Sequence, residues 1–474
     1  MLFETLRIWP FIREQTIRIA RGFDNHWGPL GIVLLLSFAV YAQTLTYEFV
    51  YDDTILYVKN SLIKEVQNIP VLVQQEDTFD GLHPGYYRPL IPLSYVIDYQ
   101  LWGLNPAGLH FSNILFHLAA TSLVYFIALR LFGVSSAAMI AALFFGLHPI
   151  NTESVSFITG RNNILCTSFM LAAALSYYHY RSGGKVRWLA VFALVYLAGL
   201  CSKEFAIMLP FILFFSDAVL RQLDRKAWIS LAMSVALILL YLTIRSAILD
   251  SAAGIKISIA DVPHRLPGAL DNFMGYLRLS VAPFGQKALY PETQPQVSIH
   301  LIILELVVLV GLLALMYHFR NLAWIAISVG WFVLSLAPAL NVIPLSGSYF
   351  AERYLYVALP GIALMVGGLY SSWRGNRAYA RIIRGCIILV LCMLSLLTVL
   401  RNPIWRNDET LYTDMVRTSP SAYKGWYLLI EEYRKQGRHD EAARYWKHLI
   451  EIMKKPKGSV ESWSHLTSPP SSLQ

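Results

Sequence analysis

The sequence predicts an all-α polytopic membrane protein: a bundle of about eleven transmembrane helices followed by a polar helical hairpin. Three observations predict it. Of the 474 residues, 56% are hydrophobic and only 15% charged, against roughly a quarter charged in soluble domains. Apolar runs close to the ~20 residues that cross a bilayer recur along most of the chain. From about Arg401 the composition turns polar. Cys166, Cys201, Cys386 and Cys392 all lie in apolar stretches, so no disulfide framework is indicated.

In chain order, residues 1–27 form a polar N-terminal segment. "VYA" before Gln43 resembles a cleavage site, but the preceding region is long and carries Glu4, Glu14 and Asp24, unlike a short basic leader. A retained first helix is therefore expected. Residues 28–401 form the membrane domain, with spans near 28–46, 109–132, 136–150, 162–180, 187–202, 205–220, 227–246, 299–318, 322–340, 354–371 and 383–401. The semi-apolar stretch 266–285, broken by prolines and charges, reads as a helix at the membrane surface or against the bundle.

Alternating through these spans puts Arg7, Arg13, Arg18, Arg21, Arg130, Arg181, Lys185, Arg187, Arg221, Arg225, Lys226, Arg320, Arg374, Arg377, Arg381 and Arg384 on one side. That side is cytoplasmic by the positive-inside rule. The net charge of +9 thus belongs to topology and calls for no nucleic acid. The opposite side, periplasmic in a Gram-negative cell, receives every unusual connection: loop 47–108, "HPINTESVSFITGRN", "SKEF", loop 247–298, "NVIPLSGSYFAERY" and the C-terminal region. The expected location is a bacterial inner membrane, with the N-terminus cytoplasmic and the site and C-terminus periplasmic.

The first outer loop holds Asp52, Asp53 and Arg88. Paired acids suit proton transfer, one as general base and the other tuning or orienting it; a helix N-cap pair is the plainer reading. Arg88 suits a phosphate, or simply snorkels. His148, Glu153 and Arg161 lie where one outward span ends and the next begins. His148 and Glu153 leave a divalent metal open, without a strong ligand pattern. Lys203 and Glu204 suit either a site or an ion pair closing a tight turn, and Glu352 and Arg353 stand at a helix entrance. Their convergence on one face is the stronger signal: acids for proton transfer meet cations for an anionic leaving group.

Residues 402–458 read as a periplasmic helical region. "SAYKGWYLLIEEYRKQGRHDEAARYWKHLIE" fits one tetratricopeptide (TPR) hairpin, with Trp426, Leu429, Tyr433, Ala442 and Trp446 at its large and small positions and Ile430 as a departure. A single repeat cannot bury its own face, so docking on the membrane domain or a partner is expected. Residues 459–474 read as a disordered tail.

"FVYDD", "YRPL", "GLNPAGLHFSNILFHL", "HPINTESVSFITGR", "SKE", "NVIPL", "AERYLY" and "RNPIWRNDETLY" occur in this order. The set resembles the transmembrane-and-TPR family of O-mannosyltransferases, GT-C glycosyltransferases, from about Tyr47 to Ile450. Asn162–Asn163 and the single repeat depart from the family pattern. The resemblance implies a GT-C-type bundle whose outward-facing site takes a sugar, mannose or another hexose, from a polyprenyl-phosphate carrier. A hydroxyl acceptor, protein Ser/Thr, would receive it. Asp52 or Asp53 would be the base, with inversion. Arg88, Arg161, Lys203, Arg245 and Arg353 would bind the donor phosphate, supported by His148, Glu153, Glu204 and Glu352. A lipid or glycan acceptor, or a non-enzymatic transporter or flippase of lipid-linked anions, are the alternatives.

Overall fold

The computed structural model describes residues 26–74, 86–249, 262–290, 298–318, 322–342, 348–373 and 377–454. Most of the N-terminal segment, the tail 459–474, His83–Gly85 and most of "NVIPL" lie outside the described residues. Among those described the regular structure is entirely helical.

The helices are α1 (Trp27–Tyr41), α2 (Leu90–Trp102), α3 (Pro106–Phe132), α4 (Ser135–Gly146), α5 (Arg161–Gly183) and α6 (Val186–Leu200). Then follow α7 (Leu209–Val219), α8 (Arg225–Ile248), α9 (Val262–Val281), α10 (Ile299–His318), α11 (Ala323–Leu336), α12 (Leu355–Trp373) and α13 (Arg377–Arg401). The polar region forms α14 (Asp408–Thr418), α15 (Tyr423–Lys435) and α16 (His439–Lys454). A helix occupies each of the eleven apolar segments. Among the described residues six helical stretches are long and apolar enough to cross a membrane: Trp27–Thr46, Pro106–Phe132, Arg225–Ile248, Ala323–Leu340, Glu352–Trp373 and Arg381–Trp405. The chain is a multi-pass membrane protein.

Local chemistry sets the boundaries. Asn105 caps α3 by accepting from the Ala107 N–H, and Pro106 opens its first turn. Gly133, at φ +64°, ends it and lets α4 turn back. Two expected spans are shorter than their apolar runs. The helix in 136–150 stops at Gly146 because His148 is extended before Pro149, and residues 204–208 form a 3₁₀ turn before Pro210 starts α7 in earnest. α2 lies inside the first outer loop, where no helix was expected.

The core runs through α3, α4, α5 and α12, each packed on its neighbours in this group. Close approach is built in: a Cβ on Gly361 of α12 would meet the Ser328 carbonyl of α11 at 2.5 Å. By contrast α10 has most of its side chains exposed, as a lipid-facing helix would. α9, the expected non-spanning helix, buries Ala269, Asn272, Tyr276 and Leu279 against the bundle.

The polar module docks on the membrane domain, one of the two outcomes expected of it. Trp426, Leu429, Ile430, Tyr433 and Ala442 form one apolar cluster with Tyr47, Val50, Phe157 and Trp405. α14, not delimited in the sequence, packs between the hairpin and the bundle; Asn407 and Thr410 close a capping box at its start.

Candidate active site

The conspicuous loops meet at one end of the bundle. Asp53 is fully buried. Its carboxylate accepts from the N–H of Val50 at 3.2 Å and of Thr159 at 2.9 Å, tying the first outer loop to the segment before α5. Burial pushes its pKa up to about 7 despite those two donors. Asp52 is half-buried and lies within electrostatic reach of Arg353 and of the Tyr51 hydroxyl. Adjacency in sequence has therefore become a division in space, with one aspartate sealed into the loop contact and the other within electrostatic reach of Arg353.

Arg88 and Arg353 both lie within electrostatic reach of Lys203. Arg88 grips Glu204 with two nitrogens, Nη2 to Oε2 at 2.9 Å and Nε to the same oxygen at 3.2 Å. Burial disfavours the Glu204 anion, but Arg88 outweighs it and holds this carboxyl below its ordinary range. Arg353 donates its backbone N–H (2.8 Å) and Nη1 (2.5 Å) to Glu153. Lys203 is buried between the Phe205 and Tyr354 rings, 5.0 and 4.9 Å from its Nζ, and donates to Asn163. Burial, with Arg88 and Arg353 adding repulsion, holds its pKa well below the usual lysine range. Asn163, a departure from the family pattern, is thus the partner of a central cation. Arg245, one turn beyond Tyr241 on α8, shares that tyrosine's surroundings with Arg88 and Glu204.

Arg161 is 0% exposed, with Nη2 on Asp98 at 2.6 Å, Nε on Asn113 at 3.0 Å and Nη1 on Ser94 at 3.3 Å. The guanidinium ties α2 to α3, a structural engagement that stands beside the phosphate role expected of it. Asn113 meanwhile donates to the carbonyls of Phe157 and Ile158. His148 likewise uses both nitrogens, Nδ1 accepting from the Ile150 N–H and Nε2 meeting the Ser280 carbonyl, each at 3.2 Å. It clasps α9, and neither nitrogen is left for a metal. Among the described residues no group of three or more His, Cys, Asp or Glu is placed to hold a metal ion.

Glu352 is buried and accepts from Gln286 Nε2 (2.9 Å), the Lys287 N–H (2.5 Å) and the Tyr290 hydroxyl (2.7 Å). It anchors segment 286–290, whose Leu289 carbonyl accepts from Ser419 of the polar module at 2.6 Å. Sequence reasoning missed Asp98, although a lone acid in an apolar helix was a usable signal. It also missed Asn113, Tyr290, Asp408 and Lys424, which carry no such mark.

Residues 83–245 match the family model described as dolichyl-phosphate-mannose-protein mannosyltransferase. Protein O-mannosyl-transferase TMTC3 of Mus musculus is 24% identical over 89% of this chain and 51% of its own. Protein O-mannosyl-transferase Tmtc2 of Drosophila melanogaster is 34% identical over 36% of this chain and 20% of its own. The chain is similar to the protein O-mannosyl-transferases, most strongly over its first half. It spans about half the length of the relatives it matches most extensively. ArnT from Cupriavidus metallidurans, solved bound to undecaprenyl phosphate, has a TM-score of 0.48 at 14% identity, covering 90% of this chain and 76% of that one. The family model takes in Arg88, His148, Glu153, Arg161, Lys203, Glu204 and Arg245, while Asp52, Asp53, Glu352 and Arg353 lie outside it.

Proposed function

We propose that this protein is a GT-C-type membrane glycosyltransferase that moves mannose or another hexose from a polyprenyl-phosphate carrier to a hydroxyl acceptor. The relatives' names favour protein Ser/Thr as that acceptor. The observation that carries the reading is the half-buried Asp52 set against Arg353, with Lys203 in the field of both Arg353 and Arg88. Asp52 takes the proton from the acceptor hydroxyl, and that oxygen attacks the anomeric carbon. The bond from this carbon to the phosphate oxygen breaks, and the polyprenyl phosphate leaves as an anion. A single displacement inverts the anomeric centre. Glu153 and Glu204 answer Arg353 and Arg88, so a protonated Lys203 supplies the positive charge not already answered by a glutamate. Arg245 lies at the edge of this group, and Asp53, Arg161, His148 and Glu352 hold its walls. The distribution of basic loops supports a site on the outer face of a bacterial inner membrane.

The test is transfer by the purified full chain in detergent, from polyprenyl-phosphate mannose to a Ser/Thr peptide, a glycan or a lipid alcohol. Transfer with inversion, lost in Asp52→Asn, is expected. Donor binding without transfer to any of the three would defeat the reading and leave transport of lipid-linked anions in its place.

A further inference from the structure

Tyr51 sits immediately before Asp52 with φ of +51°, one of three non-glycine residues at positive φ among those described. The left-handed conformation crowds the Cβ of an L-residue against its own backbone, and a bulky aromatic adopts it only where the surroundings impose it. Here they come from the far end of the chain. The Tyr51 N–H donates to Oδ1 of Asp408 at 2.8 Å, and the Glu48 N–H donates to the Arg406 carbonyl at 2.9 Å. Asp408 is itself fixed in the first turn of α14, between the two members of the Asn407–Thr410 capping box. The Lys424 ammonium lies 5.6 Å from the centroid of the Tyr51 ring.

We infer that Asp408 is a positioning residue for Asp52, holding Tyr51 left-handed so that the next side chain faces Arg353 while Asp53 turns inward. The backbone at residue 51 decides which way residue 52 points, because the Val50 and Thr159 amides already fix residue 53. If Tyr51 relaxed to an ordinary conformation, the Asp52 carboxylate would swing from the cations without any change in its own chemistry. The polar module is then part of the catalytic apparatus as well as a docked accessory. The inference rests on the proposed role of Asp52.

The experiment is a double-mutant cycle in the full-length protein. Asp408→Ala should lower kcat about 10- to 100-fold, the scale of a small misplacement of a reacting group, and leave the donor KM unchanged. Asp408→Asn, which keeps an acceptor oxygen, should retain most activity. Glycine takes the left-handed conformation freely, so in a Tyr51→Gly background Asp408→Ala should cost less than about threefold. Hydrogen exchange should quicken in the peptide spanning 48–58 of Asp408→Ala and stay unchanged in 423–454. Equal kcat losses in both backgrounds, or unchanged exchange at 48–58, would overturn the inference. Should Asp408→Ala fail to fold, Asp408→Ser takes its place in every arm. A wild-type chain that transfers no sugar would instead defeat the proposed function, and the exchange measurement would still decide the positioning.

Discussion

Glu153 accepts both the backbone N–H and the guanidinium of Arg353, at 2.8 and 2.5 Å, across 200 positions of sequence. One carboxylate thereby sets where the start of α12 sits and where its first cation points. An arginine held this way meets an incoming phosphate with its orientation already fixed.

Glu153→Gln keeps the volume and removes the charge, so Arg353 loses a charge-assisted partner worth about 1.5–3 kcal/mol. We expect polyprenyl-phosphate affinity to fall about tenfold, measured by titration in detergent, together with a lower melting temperature. Lower stability with unchanged affinity would restrict the pair to holding the fold.

Arg161 and Asp98 should behave differently, since both are sealed from solvent. Asp98→Ala leaves a buried guanidinium uncompensated, at a cost of about 3–5 kcal/mol. Replacing both, as Arg161→Met with Asp98→Leu, should recover part of that stability. Donor affinity in the folded fraction should stay near wild type, and a selective loss of donor binding would assign Arg161 to the phosphate site.

The bundle was legible because an apolar run of sufficient length has few alternatives to a buried or lipid-facing helix. α2 escaped notice because Leu90–Trp102 is shorter than a span and contains Pro92 and Asp98. α14 lies inside the expected helical region 402–458 but was not delimited there, because the tetratricopeptide pattern begins only at Ser421. The site residues were legible as types and as neighbours on one face. What no local pattern encoded was pairing: that Asp98 answers Arg161, that Asn163 answers Lys203, or that Asp408 reaches Tyr51. Such pairs are set by tertiary packing, and they separate a cation available to a ligand from one committed to the fold.

Asp53 couples the stability of the fold to pH. The fold raises Asp53 to about 7, above the roughly 3.9 of an unfolded chain, so the folded protein binds this proton more tightly. Its contribution favours folding fully below about pH 4 and is lost as pH rises through 7. Melting temperatures taken from pH 5 to 8 should therefore drop more steeply for wild type than for Asp53→Asn, which does not titrate. Parallel curves would mean that the Val50 and Thr159 amides keep Asp53 ionised throughout.

Lys203 carries the last expectation. Burial and its neighbours Arg88 and Arg353 hold it well below the usual lysine range, so its ammonium gives up a proton more readily than a solvent-exposed one. A phosphate placed among these cations reverses the balance, because an adjacent anion stabilises the ammonium. Donor binding should then take up a proton, and by linkage affinity should weaken as pH rises above the depressed pKa. Calorimetry of polyprenyl phosphate binding in buffers of different ionisation enthalpy reads that uptake directly. The wild type should gain up to one proton per donor, and Lys203→Met should gain none while binding more weakly at low pH. If both proteins take up the same number of protons, the titrating group is another one and Lys203 is a fixed part of the wall.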